Sequence, residues 1–191
     1  MNGKLSEGQY FFTDIKDQGI ALYEMKGGAK LARANSLTPE RHYEISQEYF
    51  DLWFPKIEGA IKGARFHADD NNPNWAAFML HQAVECAYNC ILLAFTHYGP
   101  ATYNISRLRS LAEQHDERLI AAWPREKGLP FVSKHRATFE LLKKAYVEAR
   151  YSKHFTITDE QLMWLTERAT VLNDLVKDVC ADHLKRLRVE L

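Results

Sequence analysis

The stretch PNWAAFMLHQAVECAYNCILLAFT, residues 73–96, decides the fold class. Asn72-Pro73 opens it as a helix, with proline at the first helical position, where its missing N–H costs nothing. The helix is expected to run to about Phe95. Between Asn71 and Ser106 the only Asp, Glu, Lys or Arg is Glu85. A segment this apolar belongs inside a helical body, and a lone carboxylate within it requires a partner. At about 100° per residue, His81, Glu85 and Asn89 fall on one stripe with Gln82 beside them, while Met79, Leu80, Ala83, Val84, Cys86, Ala87 and Cys90 fill the other directions. That stripe is either a structural seam pairing with Arg or Lys of a neighbouring helix, or one wall of a functional cleft or subunit interface.

Working outward, the remainder from Thr38 onward also reads as helix. Thr38-Pro39 gives an N-cap followed by proline, and Tyr49, Trp53, Ile57, Ala60 and Ala64 recur at spacings of three and four, with Pro55 expected to bend the helix. Asn104 is placed to cap a shorter third helix ending near His115. Ser133 can cap a fourth, with Phe139, Leu142, Tyr146 and Ala149 on one stripe. Thr158-Asp-Glu-Gln161 is a capping box, after which Leu162, Leu165, Ala169, Leu172, Val176, Val179 and His183 continue for about seven turns. The expected fold is all-α, an antiparallel bundle of four to five helices. Its longest irregular stretch runs from Asp116 to Phe131.

The segment before Thr38 differs. Tyr10–Ile15 and Ile20–Tyr23 are aromatic and β-branched runs around Gly19, the pattern of a β-hairpin, and Lys26–Ser36 reads as a linker. A lone hairpin is marginal in water, so it must lean on another surface. The expected organisation is therefore a hairpin and linker over residues 1–36 and a helical domain over 37–191.

Composition narrows the function. With 191 residues, 46% of them hydrophobic, and only 9 Gly and 6 Pro, the chain is one folded domain plus a short appendage and not a disordered or repetitive protein. Lys+Arg and Asp+Glu both number 25, so bulk charge attracts neither nucleic acid nor anionic membrane. Three cysteines, at 86, 90 and 180, make no disulfide framework and fit the core of a protein in a reducing compartment. The beginning of the chain has no signal-peptide core and no run looks long enough to span a membrane, so a cytoplasmic location is expected. There is no phosphate-cradling glycine loop, no H-E-x-x-H, no Cys-x-x-Cys and no G-x-S-x-G. His81 and Glu85 lack a third ligand, so no metal and no cofactor are expected.

What remains is Glu148-Ala-Arg150-Tyr-Ser-Lys-His154. A guanidinium stays charged and suits phosphate, whereas an imidazole titrates near neutrality and can move a proton. Together Arg150 and His154 could hold a phosphodiester and activate a ribose 2′-hydroxyl. Their surroundings are basic: from Lys134 to Lys153 six cations face two anions, and from Phe155 to Leu184 the balance reverses, with two cations and six anions. The alternation fits either complementary helix faces or a local phosphate patch.

The segments Ala76-Ala-Phe-Met-Leu-His-Gln-Ala-Val-Glu85-Cys-Ala-Tyr and Phe139-Glu-Leu-Leu-Lys-Lys-Ala-Tyr-Val-Glu-Ala-Arg-Tyr-Ser-Lys-His154 together resemble the second and fourth helices of a HEPN domain. The resemblance runs from about Thr38 to Leu191. It implies an all-α fold whose relatives include metal-independent ribonucleases, nucleotide-binding modules and domains paired with nucleotidyltransferases. In the nucleases an Arg and a His, more widely spaced than here, meet across a homodimer cleft. Arg150 matches that Arg, His154 approximates that His, and Glu85 resembles the polar residue of the second helix that faces the site. Phe11–Tyr23 resembles the last strands of the nucleotidyltransferase domain of a two-domain fusion, although the chain has neither Gly-Ser nor Asp-x-Asp. The resemblance thus implies a homodimer that binds nucleotide or RNA phosphate through Arg150, Tyr151, Lys153, His154, His81 and Glu85, as an accessory to a nucleotidyltransferase domain or protein. The alternatives it leaves are a weak ribonuclease with Arg150 and His154 as catalytic pair, and a pure dimerisation module in which Glu85 bridges to Arg150.

Overall fold

The computed structural model of the chain describes residues 19–20, 22–23, 37–124 and 134–189. Within them the chain forms helices α1 (Pro39–Asp69), α2 (Pro73–Thr96), α3 (Ile105–Ala112), α4 (Lys134–Ala145), α5 (Glu148–Tyr151) and α6 (Asp159–Val189), with a 3-10 turn over Glu117–Ala122. No strand occurs among the described residues. The hairpin expected over residues 10–23, the linker and the Ser133 cap lie outside the described residues, apart from four isolated positions of the hairpin.

Helix starts follow from local chemistry. The Thr38 hydroxyl accepts from the Arg41 N–H at 3.2 Å ahead of Pro39. Asn104 Oδ1 accepts from the N–H groups of Ser106 and Arg107. Thr158 and Gln161 bond reciprocally, Gln161 N–H to the Thr158 hydroxyl at 3.2 Å and Thr158 N–H to the Gln161 amide oxygen at 2.9 Å. Each cap satisfies donors that a helix start leaves open, at about 1 kcal/mol apiece. α1 and α2 form a hairpin through a tight turn in which Asn71 takes a left-handed conformation, φ 55°.

α2 is the axis on which the other helices pack: α1, α3, α4, α5 and α6 all lie against it. It buries 14 of its 24 residues, so two or three sides are covered rather than one stripe. Its contact with α1 is close because the facing residues are small: a methyl added at Gly63 would meet the Met79 side chain at 2.8 Å. In α6 the expected stripe is buried from Leu162 to Val179, and His183 is half-buried. Trp123, just after the 3-10 turn, closes the far side of the core, its indole N–H donating to the buried Tyr88 hydroxyl at 2.8 Å. Cys90 and Cys180 are buried and reduced, Cys86 half-buried.

Several expectations need correction. α2 is long and apolar enough to cross a membrane, with a mean hydropathy of 1.3 over its best 18-residue window, but 67% of that window is covered by the other helices. It is apolar because it is surrounded. The third helix ends at Ala112 rather than His115. The stretch after Asp116 is not wholly irregular, since the Asp116 carboxylate caps the 3-10 turn through Arg118 N–H. Most consequentially, the fourth helix is two: α4 stops at Ala145, Tyr146 and Val147 form a turn, and α5 restarts at Glu148.

Candidate functional site

That break builds the site. No glycine or proline occurs between Lys134 and Tyr151, so its cause is tertiary. Where a helix stops, its last carbonyls lose their intrahelical donors. Two side chains take them over. His81 Nδ1, from α2, donates to the Leu142 carbonyl at 2.9 Å. Arg150, from the short α5, folds back and donates to the Tyr146 carbonyl through Nε at 2.8 Å and one terminal nitrogen at 2.5 Å.

The bond to a carbonyl fixes the imidazole of His81, because only an N–H can donate to Leu142. In the neutral ring Nε2 then carries the lone pair. His81 is 1% exposed, and its Nε2 lies 3.7 Å from Glu85 Oε2, beyond hydrogen-bond length. Burial lowers its pKa. The backbone groups of Leu142 and Tyr103 oppose that shift and the Arg150 charge adds to it. Burial conversely raises the pKa of Glu85, with the Gln82 amide, donating at 3.0 Å, acting against it. Both shifts move the pair toward neutrality. Asn89, next on the stripe, donates to the Glu85 carbonyl at 3.1 Å and is buried.

The guanidinium of Arg150 is enclosed by rings. Its central carbon stands 4.6 Å from the Phe78 ring, 4.8 Å from Tyr146 and 4.9 Å from Tyr151. Such cation–π contacts contribute on the order of 0.5–2 kcal/mol each and hold the group in one orientation. Tyr146 in turn stacks on Tyr103, with centroids 4.7 Å apart and planes at 15°. Among the described residues no carboxylate lies within ion-pair distance of Arg150, so the Glu85–Arg150 bridge does not form.

The expected site residues therefore divide. Arg150, Tyr151, His81 and Glu85 come together around the break between α4 and α5. Lys153 and His154 follow in an exposed turn, where the His154 N–H donates to the Ser152 hydroxyl. Phe78 and Tyr103 were not singled out from the sequence as site residues, and Tyr146 was read only as part of the apolar stripe of the fourth helix. Their signal was spacing: Phe78 precedes His81 by three residues on the same helix, and Tyr146 and Tyr151 flank Arg150 at −4 and +1. A cleft of about 440 Å³ lies elsewhere, between the N-terminal ends of α4 and α6, with Lys134, His135, Glu160 and Trp164 in its wall. No group of three or more His, Cys, Asp or Glu among the described residues is arranged to hold a metal ion.

An all-helical bundle with a fixed guanidinium at a broken helix, faced by a polar stripe on its central helix, defines the class. A model of the HEPN domain family matches residues 50–179, more than half of the chain, and the protein belongs to that family. No curated protein matches the chain.

Proposed function

We propose that this HEPN protein binds the phosphate of a nucleotide or RNA at the α4–α5 break, as an accessory to nucleotidyltransferase chemistry. Arg150 carries this reading. It is the one cation of the site whose side chain is held by two hydrogen bonds to a carbonyl, packed among rings and free of any carboxylate among the described residues. A guanidinium so fixed offers its remaining N–H groups to an anion with little entropy left to lose. Lys144 and Lys153, both exposed nearby in the chain, add positive field. Two copies in a homodimer would double it.

The absence of a Glu85–Arg150 bridge weighs against a purely structural role for this seam. A ribonuclease reading needs His154 to reach the phosphate that Arg150 holds. His154 is exposed three residues beyond Tyr151, which makes it available for that role.

Titration calorimetry at low salt, with nucleoside triphosphates and short RNA, tests the proposal. Wild type is expected to release heat, with affinity falling as salt rises. Arg150→Ala is expected to lose at least about tenfold in affinity, the share of a charge-assisted bidentate contact. A folded wild-type protein that binds none of these ligands sinks the reading.

A further inference from the structure

The rings around Arg150 do more than fix it. Tyr103 is 62% exposed and Tyr151 76% exposed, although both touch the same small assembly. One face of Tyr103 rests on Tyr146 and the other is turned to solvent. From Tyr103 through Tyr146 and the guanidinium to Tyr151, successive links measure 4.7, 4.8 and 4.9 Å. Two exposed rings are thus linked to one anion-seeking group, Tyr151 directly and Tyr103 through Tyr146. Trp75, 44% exposed and 5.6 Å from Phe78, extends the aromatic surface along α2.

We infer that Tyr103 and Tyr151 stack unpaired nucleobases on either side of the phosphate held by Arg150, so that the ligand is a single-stranded oligonucleotide rather than a duplex or a free phosphate. This rests on the phosphate reading above and adds to it a base-recognition element. Stacking requires a base whose faces are open, which a duplex does not offer. A tyrosine already stacked on a neighbour has little rotamer freedom to lose, so the platform is formed before the ligand arrives. The surrounding charge fits a strand: Arg107, one turn beyond Tyr103, and Lys153, two residues beyond Tyr151, are both exposed.

The test uses the full chain, a labelled short oligoribonucleotide, the same strand annealed to its complement, and inorganic triphosphate. Wild type is expected to bind the single strand more tightly than the duplex. Tyr103→Ala should weaken single-strand binding by roughly 5- to 100-fold, the share of one stacked base, and leave triphosphate binding within about twofold; Tyr151→Ala, which also removes a ring from beside Arg150, should weaken single-strand binding by more than it weakens triphosphate binding. Tyr103→Phe, which keeps the ring, should bind as wild type does. If both alanine variants hold the single strand like wild type while Arg150→Ala does not, stacking is overturned and the phosphate site stands. Equal losses for triphosphate and RNA in Tyr103→Ala, or a change in sedimentation without a change in RNA affinity, also overturn it by assigning the rings to packing or to self-association. If wild type binds neither triphosphate nor RNA, the phosphate reading itself has failed.

Discussion

The two ends of α2 place histidines in contrasting surroundings. Near its start one imidazole, His81, is wholly buried and committed, its Nδ1–H given to a carbonyl that a broken helix left open. At its end three imidazoles crowd together: His42 lies 4.7 Å from His97 and 6.4 Å from His183, ring centre to ring centre. His97 terminates α2 in a left-handed conformation, φ 55°, and shares a 2.9 Å hydrogen bond with the Ser46 hydroxyl of α1. His183 of α6 stacks on Phe95 at 3.9 Å, with His115 a further 5.6 Å from Phe95. Burial is the first cause of low basicity at both ends. At the start of α2 the second influence is hydrogen bonding, which resists the shift. At its end the second influence is charge of one sign, from the imidazoles themselves with Arg41 and Arg186, and His97 and His183 fall to about 4. One end uses an imidazole as a structural donor; the other stores a latent repulsion that exists only when the rings are protonated.

The largest expected effect comes from acid. His97 and His183 titrate at about 4 in the fold and near 6.5 when unfolded. Between those values the unfolded chain binds more protons, so stability is complete above pH 6.5 and falls as pH drops toward 4. After allowance for solvent screening, each ring is worth about 1–2 kcal/mol, and together they should lower Tm by roughly 5–10 °C between pH 7 and 4.5. His183→Phe, which keeps a ring against Phe95, should remove about half of this dependence. A Tm independent of pH over that interval in wild type would erase the contrast between the two ends.

The next largest effect belongs to His81. His81→Phe keeps an aromatic ring but removes the donor to Leu142, leaving a buried carbonyl unpaired at a cost of about 1–3 kcal/mol. The loss should appear in urea denaturation at pH 7 and should bring a parallel loss of RNA affinity, because the same break positions Arg150. A variant as stable as wild type would show that the break does not depend on His81.

These two effects mark where sequence reading reached and where it stopped. The caps at Thr38, Asn104 and Thr158 were legible because each is a hydrogen bond within three residues, and the buried stripe of α6 was legible because it is periodic. Burial of α2 followed from its single carboxylate, and placing His81 and Glu85 with Arg150 in one site followed from the resemblance to the family. The break at Tyr146–Val147 was not legible, since no residue there prefers to end a helix. It exists because His81, more than sixty residues upstream, and Arg150 donate to the carbonyls it exposes. The histidine cluster escaped notice for the same reason: residues 42, 97 and 183 meet only once α1, α2 and α6 have packed. Arg150 could be suspected from its position in the family pattern, but its aromatic setting draws on α2, the turn between α4 and α5, α5 itself and the segment before α3.

Glu85 gives the smallest effect and the opposite sign, which makes it the finest probe of the comparison. Burial raises its carboxyl pKa in the fold, and at 16% exposure it has no cation partner among the described residues. A carboxylate whose folded pKa is raised binds more protons folded than unfolded, so it costs stability at neutral pH and that cost fades as pH falls. Glu85→Gln is therefore expected to raise Tm at pH 7 by about 1–3 °C, with a smaller gain at pH 4.5. It should also tighten RNA binding modestly, since one negative charge near Arg150 is gone. Thermal melts of wild type and Glu85→Gln at both pH values decide the point. A destabilised variant would mean that the ionised Glu85 is held by a partner after all, and the start of α2 would then be an ionic seam rather than an unpaired carboxyl beside a free cation.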